Sequence, residues 1–149
     1  MLNEKKIKYI ENIIIAGSTE IFKNFKQTTN RLSIMPITIL HNPRCSKSRQ
    51  TLELLIKQGI KPAINQYLIT PPTVEKIKEI LKKLGYTPRD LMRKKEDAYI
   101  EYNLDNQTLS DDYLIDFMIK HPILIERPIV LTNEKAAIGR PPEKVLEIL

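Results

Sequence analysis

The stretch Ile37-Thr38-Ile39-Leu40-His41-Asn42-Pro43-Arg44-Cys45-Ser46-Lys47-Ser48-Arg49 decides how this chain is read. Residues 37–41 form a short, mostly apolar run rich in β-branched side chains, the pattern of a buried strand. Asparagine, proline and serine over residues 42–46 interrupt it with loop chemistry. From Ser48 to Gln58 the apolar Leu52, Leu55 and Ile56 recur at helical spacing, and Gly59 supplies the stop. Strand, tight loop and helix in this order place Cys45 at or beside a helix N-terminus.

Downstream, residues 64–68 read as a second strand, and Thr70-Pro71-Pro72-Thr73 as a turn that caps the next helix. Ile77, Ile80, Leu81 and Leu84 share one face of that helix, and Gly85 ends it. Residues 88–120 read as helical and polar-faced, with Ser110-Asp111-Asp112 capping a helix that carries Leu114, Ile115 and Met118. After Arg127-Pro128 come a third strand over residues 129–132, a turn at Asn133-Glu134 and a fourth strand over residues 136–138, paired as a hairpin. Gly139-Arg140-Pro141-Pro142 then opens a closing helix to Leu149, with proline in its first turn, where the missing donor costs nothing. The pattern predicts an α/β domain whose first two strands are parallel. It resembles a thioredoxin-like mixed sheet of about four strands with flanking helices and a helical insertion. The domain is expected over residues 35–149. Residues 1–34 are expected to be an N-terminal extension, flexible or foreign to the natural protein, with a packed helix over residues 5–15 as the competing expectation.

At 149 residues and 42% hydrophobic content, the chain has enough apolar material for one core. No stretch approaches the roughly 20 apolar residues of a membrane span, and residues 1–34 lack a signal-peptide apolar core. A cytoplasmic location without membrane attachment is therefore expected. The net charge of +6 divides evenly: residues 1–34 hold six basic and three acidic side chains, the remainder eighteen and fifteen. Without a basic stripe interleaved with aromatics, such a balance describes a solvated lysine-rich surface, and nucleic-acid binding is not expected. A single cysteine excludes an internal disulfide, and two histidines without close ligand spacing give no reason to expect a metal.

A lone cysteine is ordinarily a small buried apolar group. Cys45 sits instead in a polar loop, where unpaired N–H groups and the helix dipole lower a thiol pKa and cradle anions. Arg44, Lys47 and Arg49 flank it, His41 lies four residues upstream, and the hydroxyls of Ser46 and Ser48 can donate to sulfur. Ser48 stands where a Cys-x-x-Cys redox motif has its second cysteine, so an external thiol must resolve an oxidised Cys45.

The block from His41 to Arg49, together with Leu91-Met92-Arg93-Lys94, His121-Pro122-Ile123-Leu124-Ile125-Glu126-Arg127-Pro128-Ile129-Val130 and Gly139-Arg140-Pro141, resembles the ArsC arsenate reductases from residue 37 to 149. The resemblance implies a glutaredoxin-coupled reductase in which Cys45 attacks arsenate and Arg93, Arg127 and Arg140 hold the oxyanion. It places His41 near the thiol, Ser48 and Arg49 as the polar pair at the helix start, and Arg127-Pro128 as a cis-proline bond. Glutathione then enters as co-substrate, leaving Cys45 as a mixed disulfide that glutaredoxin resolves, with no bound metal or organic cofactor and a monomer expected. Two alternatives share the resemblance: a glutathione-dependent thiol oxidoreductase with another substrate, and a regulator similar to Spx that binds RNA polymerase.

Overall fold

The computed structural model describes residues 36–149. The extension and the helix expected within residues 1–34 lie outside the described residues. In chain order the elements are β1 (Thr38–Leu40), α1 (Ser46–Lys57), β2 (Ala63–Asn65), α2 (Val74–Leu84), α3 (Pro88–Leu91), α4 (Asp97–Glu101), α5 (Asp111–Lys120), a 3-10 turn (Pro122–Leu124), β3 (Ile129–Leu131), β4 (Ala136–Ile138) and a closing 3-10 helix (Pro142–Ile148). The strands join in the order β2-β1-β3-β4. β1 runs parallel to β2 and antiparallel to β3, and β3 pairs antiparallel with β4. This is the mixed four-stranded, thioredoxin-like α/β arrangement that the sequence predicts.

Strand alternation splits the core in two, because successive side chains point to opposite faces. Ile39 and Val130 face α1 and the closing helix, packing with Leu55 and Val145. Leu40, Ile129 and Leu131 face the opposite way, onto Ile77, Ile80, Leu114 and Met118 from α2 and α5. The helices carry local stop and start signals. Thr73 Oγ1 accepts from Lys76 N at 3.2 Å, Ser110 Oγ accepts from Tyr113 N at 3.2 Å, and Thr87 and Asp90 form a reciprocal capping box at α3. Gly85 ends α2 in the left-handed conformation, φ +68°.

Three parts depart from the sequence reading, the first being residues 88–120, read as helical, where residues 92–96 and 102–110 lie outside α3, α4 and α5. The second strand ends at Asn65 rather than residue 68, because Ile69 N and Thr70 N turn back onto Gln66 O at 2.9 and 3.0 Å. The closing helix is 3-10 rather than α. Its bonds run three residues back, as from Lys144 N to Pro141 O at 3.1 Å, the tighter winding common in short terminal segments.

Two long-range devices position the site. The segment after α3 pairs with the one before β3: Arg93 N donates to Leu124 O at 2.7 Å, and Glu126 N to Leu91 O at 2.9 Å, around a bridge between Met92 and Ile125. Gly139, just past β4, lies so close to α1 that a Cβ there would stand 2.4 Å from Thr51 Oγ1 and 2.8 Å from Pro128 Cγ. Only glycine permits that approach. The Arg127-Pro128 bond is cis, and so is Arg140-Pro141, which the sequence reading did not anticipate.

Candidate active site

Cys45 is the N-cap residue of α1, with extended backbone at φ −89° and ψ 122°. At an N-cap the side chain stands where an oxygen would accept from the second and third helical N–H groups. The sulfur closes no conventional cap hydrogen bond, yet the N–H groups of Lys47 and Ser48 lie near enough to stabilise its ionised form. The residue is 9% exposed and belongs to neither apolar cluster. Burial pushes the thiol up. The Ser48 N–H, the Arg127 guanidinium and the Lys47 N–H outweigh it and hold the pKa below the ordinary 9.0.

The loop that presents the sulfur is knitted from its own residues. Cys45 N donates to Asn42 O, and Arg44 N to Asn42 Oδ1, both at 3.0 Å. Ser48 Oγ accepts from Asn42 N at 3.0 Å and lies 2.7 Å from His41 Nδ1. The serine hydroxyl is thus spent on the loop and on His41, and the expected Ser48 hydroxyl bond to sulfur gives way to one from its backbone. His41 is buried, and its pKa is lowered first by that burial and then by the charge of Arg49. A neutral ring accepting the Ser48 proton at Nδ1 fits both facts. Arg49 turns away from the sulfur and donates to Pro43 O at 2.9 Å, while Lys47 Nζ reaches Gln50 at 3.2 Å.

Positive charge reaches Cys45 from far along the chain. Arg140 Nη2 stands 3.7 Å from Sγ, and its Nε donates to Arg127 O at 2.8 Å. At 40% side-chain exposure much of its field is screened, whereas Arg127 is only 14% exposed. Arg127 Nε and Nη1 are buried and have no hydrogen-bond partner among the described residues. Arg93 is tied to Glu96 Oε1, and the same oxygen lies 3.8 Å from Arg127 Nη1, within ion-pair range but beyond a hydrogen bond. Glu126 Oε2 lies 3.4 Å from Arg140 Nε. Of the residues singled out from sequence, the fold brings Cys45, Arg127 and Arg140 together, sets Arg93 one carboxylate away, keeps His41 and Ser48 beneath the loop, and turns Arg49 aside.

Sequence reasoning missed Glu96, Glu126, Asn42 and Tyr67. Glu96 follows Arg93 by three residues, a spacing that could have flagged a carboxylate competing for that arginine; Glu126, whose carboxylate pairs with the Arg140 side chain rather than with that of its chain neighbour, offered none. Tyr67 left no such signal. It is fully buried, and its hydroxyl faces this cluster with no hydrogen bond of ordinary length among the described residues. Burial pushes its pKa up to about 12, with Arg127 opposing and the Cys45 charge adding to the rise, so it stays a neutral donor. Beside the loop, a groove of about 330 Å³ is lined by His41, Asn42, Arg44, Gln66, Leu68 and Ile69. Among the described residues no helix is long and apolar enough to cross a membrane, and no cluster of three His, Cys, Asp or Glu could hold a metal ion.

Comparison with known proteins places this geometry in a lineage. The chain is 53% identical over 114 residues to the uncharacterized protein YfgD of Escherichia coli (strain K12), covering 76% of this chain and 96% of that protein. It is 51% identical over 116 residues to the arsenate reductase of Haemophilus influenzae, covering 77% and 100%. Among solved structures, the arsenate reductase from Vibrio cholerae superposes with a TM-score of 0.75 at 54% identity, over 77% of this chain and 98% of that one. The sequence pattern that defines the ArsC family matches residues 40–148, the span that holds the N-cap cysteine and all three arginines, and the chain belongs to that family.

Proposed function

We propose that this protein is an arsenate reductase whose nucleophile is Cys45 and whose oxyanion site is formed by Arg127 and Arg140, with Arg93 completing it. The observation that carries the reading is a thiol held below its ordinary pKa at a helix N-cap, with Arg127 lowering it and Arg140 3.7 Å away. Arginine's planar fork suits a tetrahedral oxyanion through paired, charge-assisted hydrogen bonds. Donors fixed in place before reaction stabilise charge that develops on the arsenate oxygens.

In the reading we favour, the Cys45 thiolate attacks arsenic(V), an S–As bond forms, and a protonated oxygen leaves as water. The glutathione thiolate then attacks the Cys45 sulfur. The S–As bond breaks with its electron pair remaining on arsenic, which is thereby reduced to arsenic(III) and departs as arsenite. Cys45 is left as a mixed disulfide with glutathione, and a glutaredoxin thiolate removes the glutathione and regenerates the Cys45 thiolate. The groove beside residues 41–44 is the approach we assign to glutathione, with exposed Arg44 available to its carboxylates. The cycle needs a reducing compartment, in keeping with a monomeric cytoplasmic enzyme that uses glutathione as a co-substrate and no bound cofactor.

The test is coupled turnover with arsenate, glutathione, glutaredoxin, glutathione reductase and NADPH. Arsenate-dependent NADPH oxidation that Cys45→Ser abolishes is the expected result; equal rates in wild type and mutant would remove the nucleophile.

A further inference from the structure

Arg127 and Arg140 reach the sulfur and Arg93 is linked to Arg127 through Glu96, yet the three guanidinium groups do not present three free positive charges. Glu96 Oε1 binds Arg93 Nη1 and lies 3.8 Å from Arg127 Nη1. Glu126 Oε2 lies 3.4 Å from Arg140 Nε. With the thiol ionised, the cluster of Arg93, Arg127, Arg140, Glu96, Glu126 and Cys45 is formally neutral. A site that recruited a tetrahedral anion by charge alone would not carry two carboxylates of its own.

The two carboxylates differ in kind. Glu126 is adjacent to Arg127 in the chain and accepts from Arg127 N at 3.2 Å, so its place is fixed by the backbone it sits on. Glu96 is the N-cap of a five-residue helix, but its side chain makes no cap hydrogen bond to that helix. Among the described residues its carboxylate is tied only to the arginines, and at 25% side-chain exposure it has solvent to swing into. It also approaches Arg127 on Nη1, one of two buried nitrogens of that residue left without a hydrogen-bond acceptor among the described residues. Buried donors are seldom left unmet. The acceptor these nitrogens lack is one that binds more closely than the Glu96 oxygen does at 3.8 Å.

We propose that Glu96 is a built-in competitor for the oxyanion: its carboxylate occupies the Arg93–Arg127 pair, an incoming tetrahedral anion must displace it, and Glu96 thereby sets the affinity of the site. The inference rests on the oxyanion-site reading above and adds a specificity-determining residue to it. Displacement exchanges one anion for another at Arg93 while giving Arg127 an acceptor at hydrogen-bond distance. The carboxylate weakens every anion that binds there, and it weakens most those that cannot satisfy Arg127 as well as Arg93. A planar or small anion gains too little to displace it; a tetrahedral one can span both guanidinium groups.

The experiment measures anion binding apart from turnover. Cys45 is the chain's one cysteine, so its alkylation by iodoacetamide reports on the site directly. The rate is followed at fixed pH and ionic strength against increasing inorganic phosphate, and separately arsenate, and is normalised to each protein's own rate without anion. For Glu96→Gln the half-protecting concentration of both anions is expected to fall about tenfold, the size of one ionic contact no longer opposed. Glu96→Asp keeps the charge but is too short to span the two arginines, and is expected to shift protection in the same direction by a smaller factor. A folded Glu96→Gln protein protected no better than wild type, or less well, would overturn the proposal, the latter making Glu96 a positioning group. Absence of protection in both proteins would overturn it too. If wild type fails to reduce arsenate while Glu96→Gln tightens phosphate protection, the reductase reading falls and the role of Glu96 stands. Normal turnover with unaltered protection removes the role of Glu96 and leaves the reductase reading in place.

Discussion

The two halves of this site are assembled in different ways. The sulfur and its loop come from nine consecutive residues, His41 to Arg49, and the bonds that shape the loop run among Asn42, Pro43, Arg44, Cys45, Ser48, His41 and Arg49 themselves. The cations come from Arg93, Arg127 and Arg140, brought together by the bridge at Met92 and Ile125 and the close approach of Gly139 to Thr51. The local half presents a helix N-cap that favours a thiolate, but burial of the sulfur works against it. The Ser48 N–H of the local half opposes that burial first, and the remote half adds Arg127, the side chain that lowers the Cys45 pKa while the neighbouring Arg49 and Lys47 side chains turn to other partners. Among the charged side chains, nearness in sequence is thus a poor guide to electrostatic influence here.

The sharpest way to break this division is Arg127→Ala. Removing one preorganised donor costs roughly 10²- to 10³-fold in rate, and that loss is expected in kcat/KM for arsenate. The pH midpoint of Cys45 alkylation should also rise toward 9.0, because the folded pKa is depressed and the mutation removes one cause of that depression. If both readouts stay put while Lys47→Ala alters them, the local half governs the thiol after all. Next in size is Gly139→Ala. A Cβ 2.4 Å from Thr51 Oγ1 forces the hairpin end off α1, a loss of about 3 kcal/mol at the upper end of overpacking costs. Urea denaturation reads that loss; an unshifted midpoint would mean the remote half tolerates displacement.

Ser48→Ala tests the local half. It leaves the buried Asn42 N–H and His41 Nδ1 unpaired, at a cost of about 1–2 kcal/mol read by thermal melting. Full stability in that variant would show the loop held by other contacts. The smallest effect concerns His41. Its folded pKa lies below the unfolded 6.5, so the unfolded chain takes up the proton first as pH falls. The stability it contributes is complete above pH 6.5 and is lost as pH drops through the folded value. Melting temperature should therefore decline on acidification below 6.5 in the wild type and decline less in His41→Asn. Parallel declines in the two proteins would remove His41 as the cause.

The same division explains what could be read in advance. Strand β1, helix α1 and the place of Cys45 at or beside the helix start follow from periodicity and turn residues within a dozen positions, which is where local rules operate; the helix begins at Ser46, two residues before the expected Ser48, which makes Cys45 the N-cap. The hairpin and its partner strands were legible for the same reason. The destination of each arginine was not, because it depends on pairings across more than thirty residues that no spacing rule records. Motif resemblance pointed to Arg93, Arg127 and Arg140 but was silent on the carboxylates answering them. The approach of Glu96 to Arg127 becomes visible only when the segment at Leu91 meets the one at Leu124. The ends of β2 and the winding of the closing helix were missed on smaller grounds, a turn onto Gln66 and three-residue hydrogen bonding in a short terminal segment.

The place Cys45 occupies has a consequence for robustness. Serine, threonine, aspartate and asparagine are the side chains that begin helices well, and cysteine is not among them. α1 therefore starts on a poor initiator, and the fold forgoes part of the firmness that a hydroxyl would lend at that position. Cys45→Ser, chemically silent, should be the hardier molecule, melting at a higher temperature than the protein it disables. Reactivity and durability contend here for a single atom.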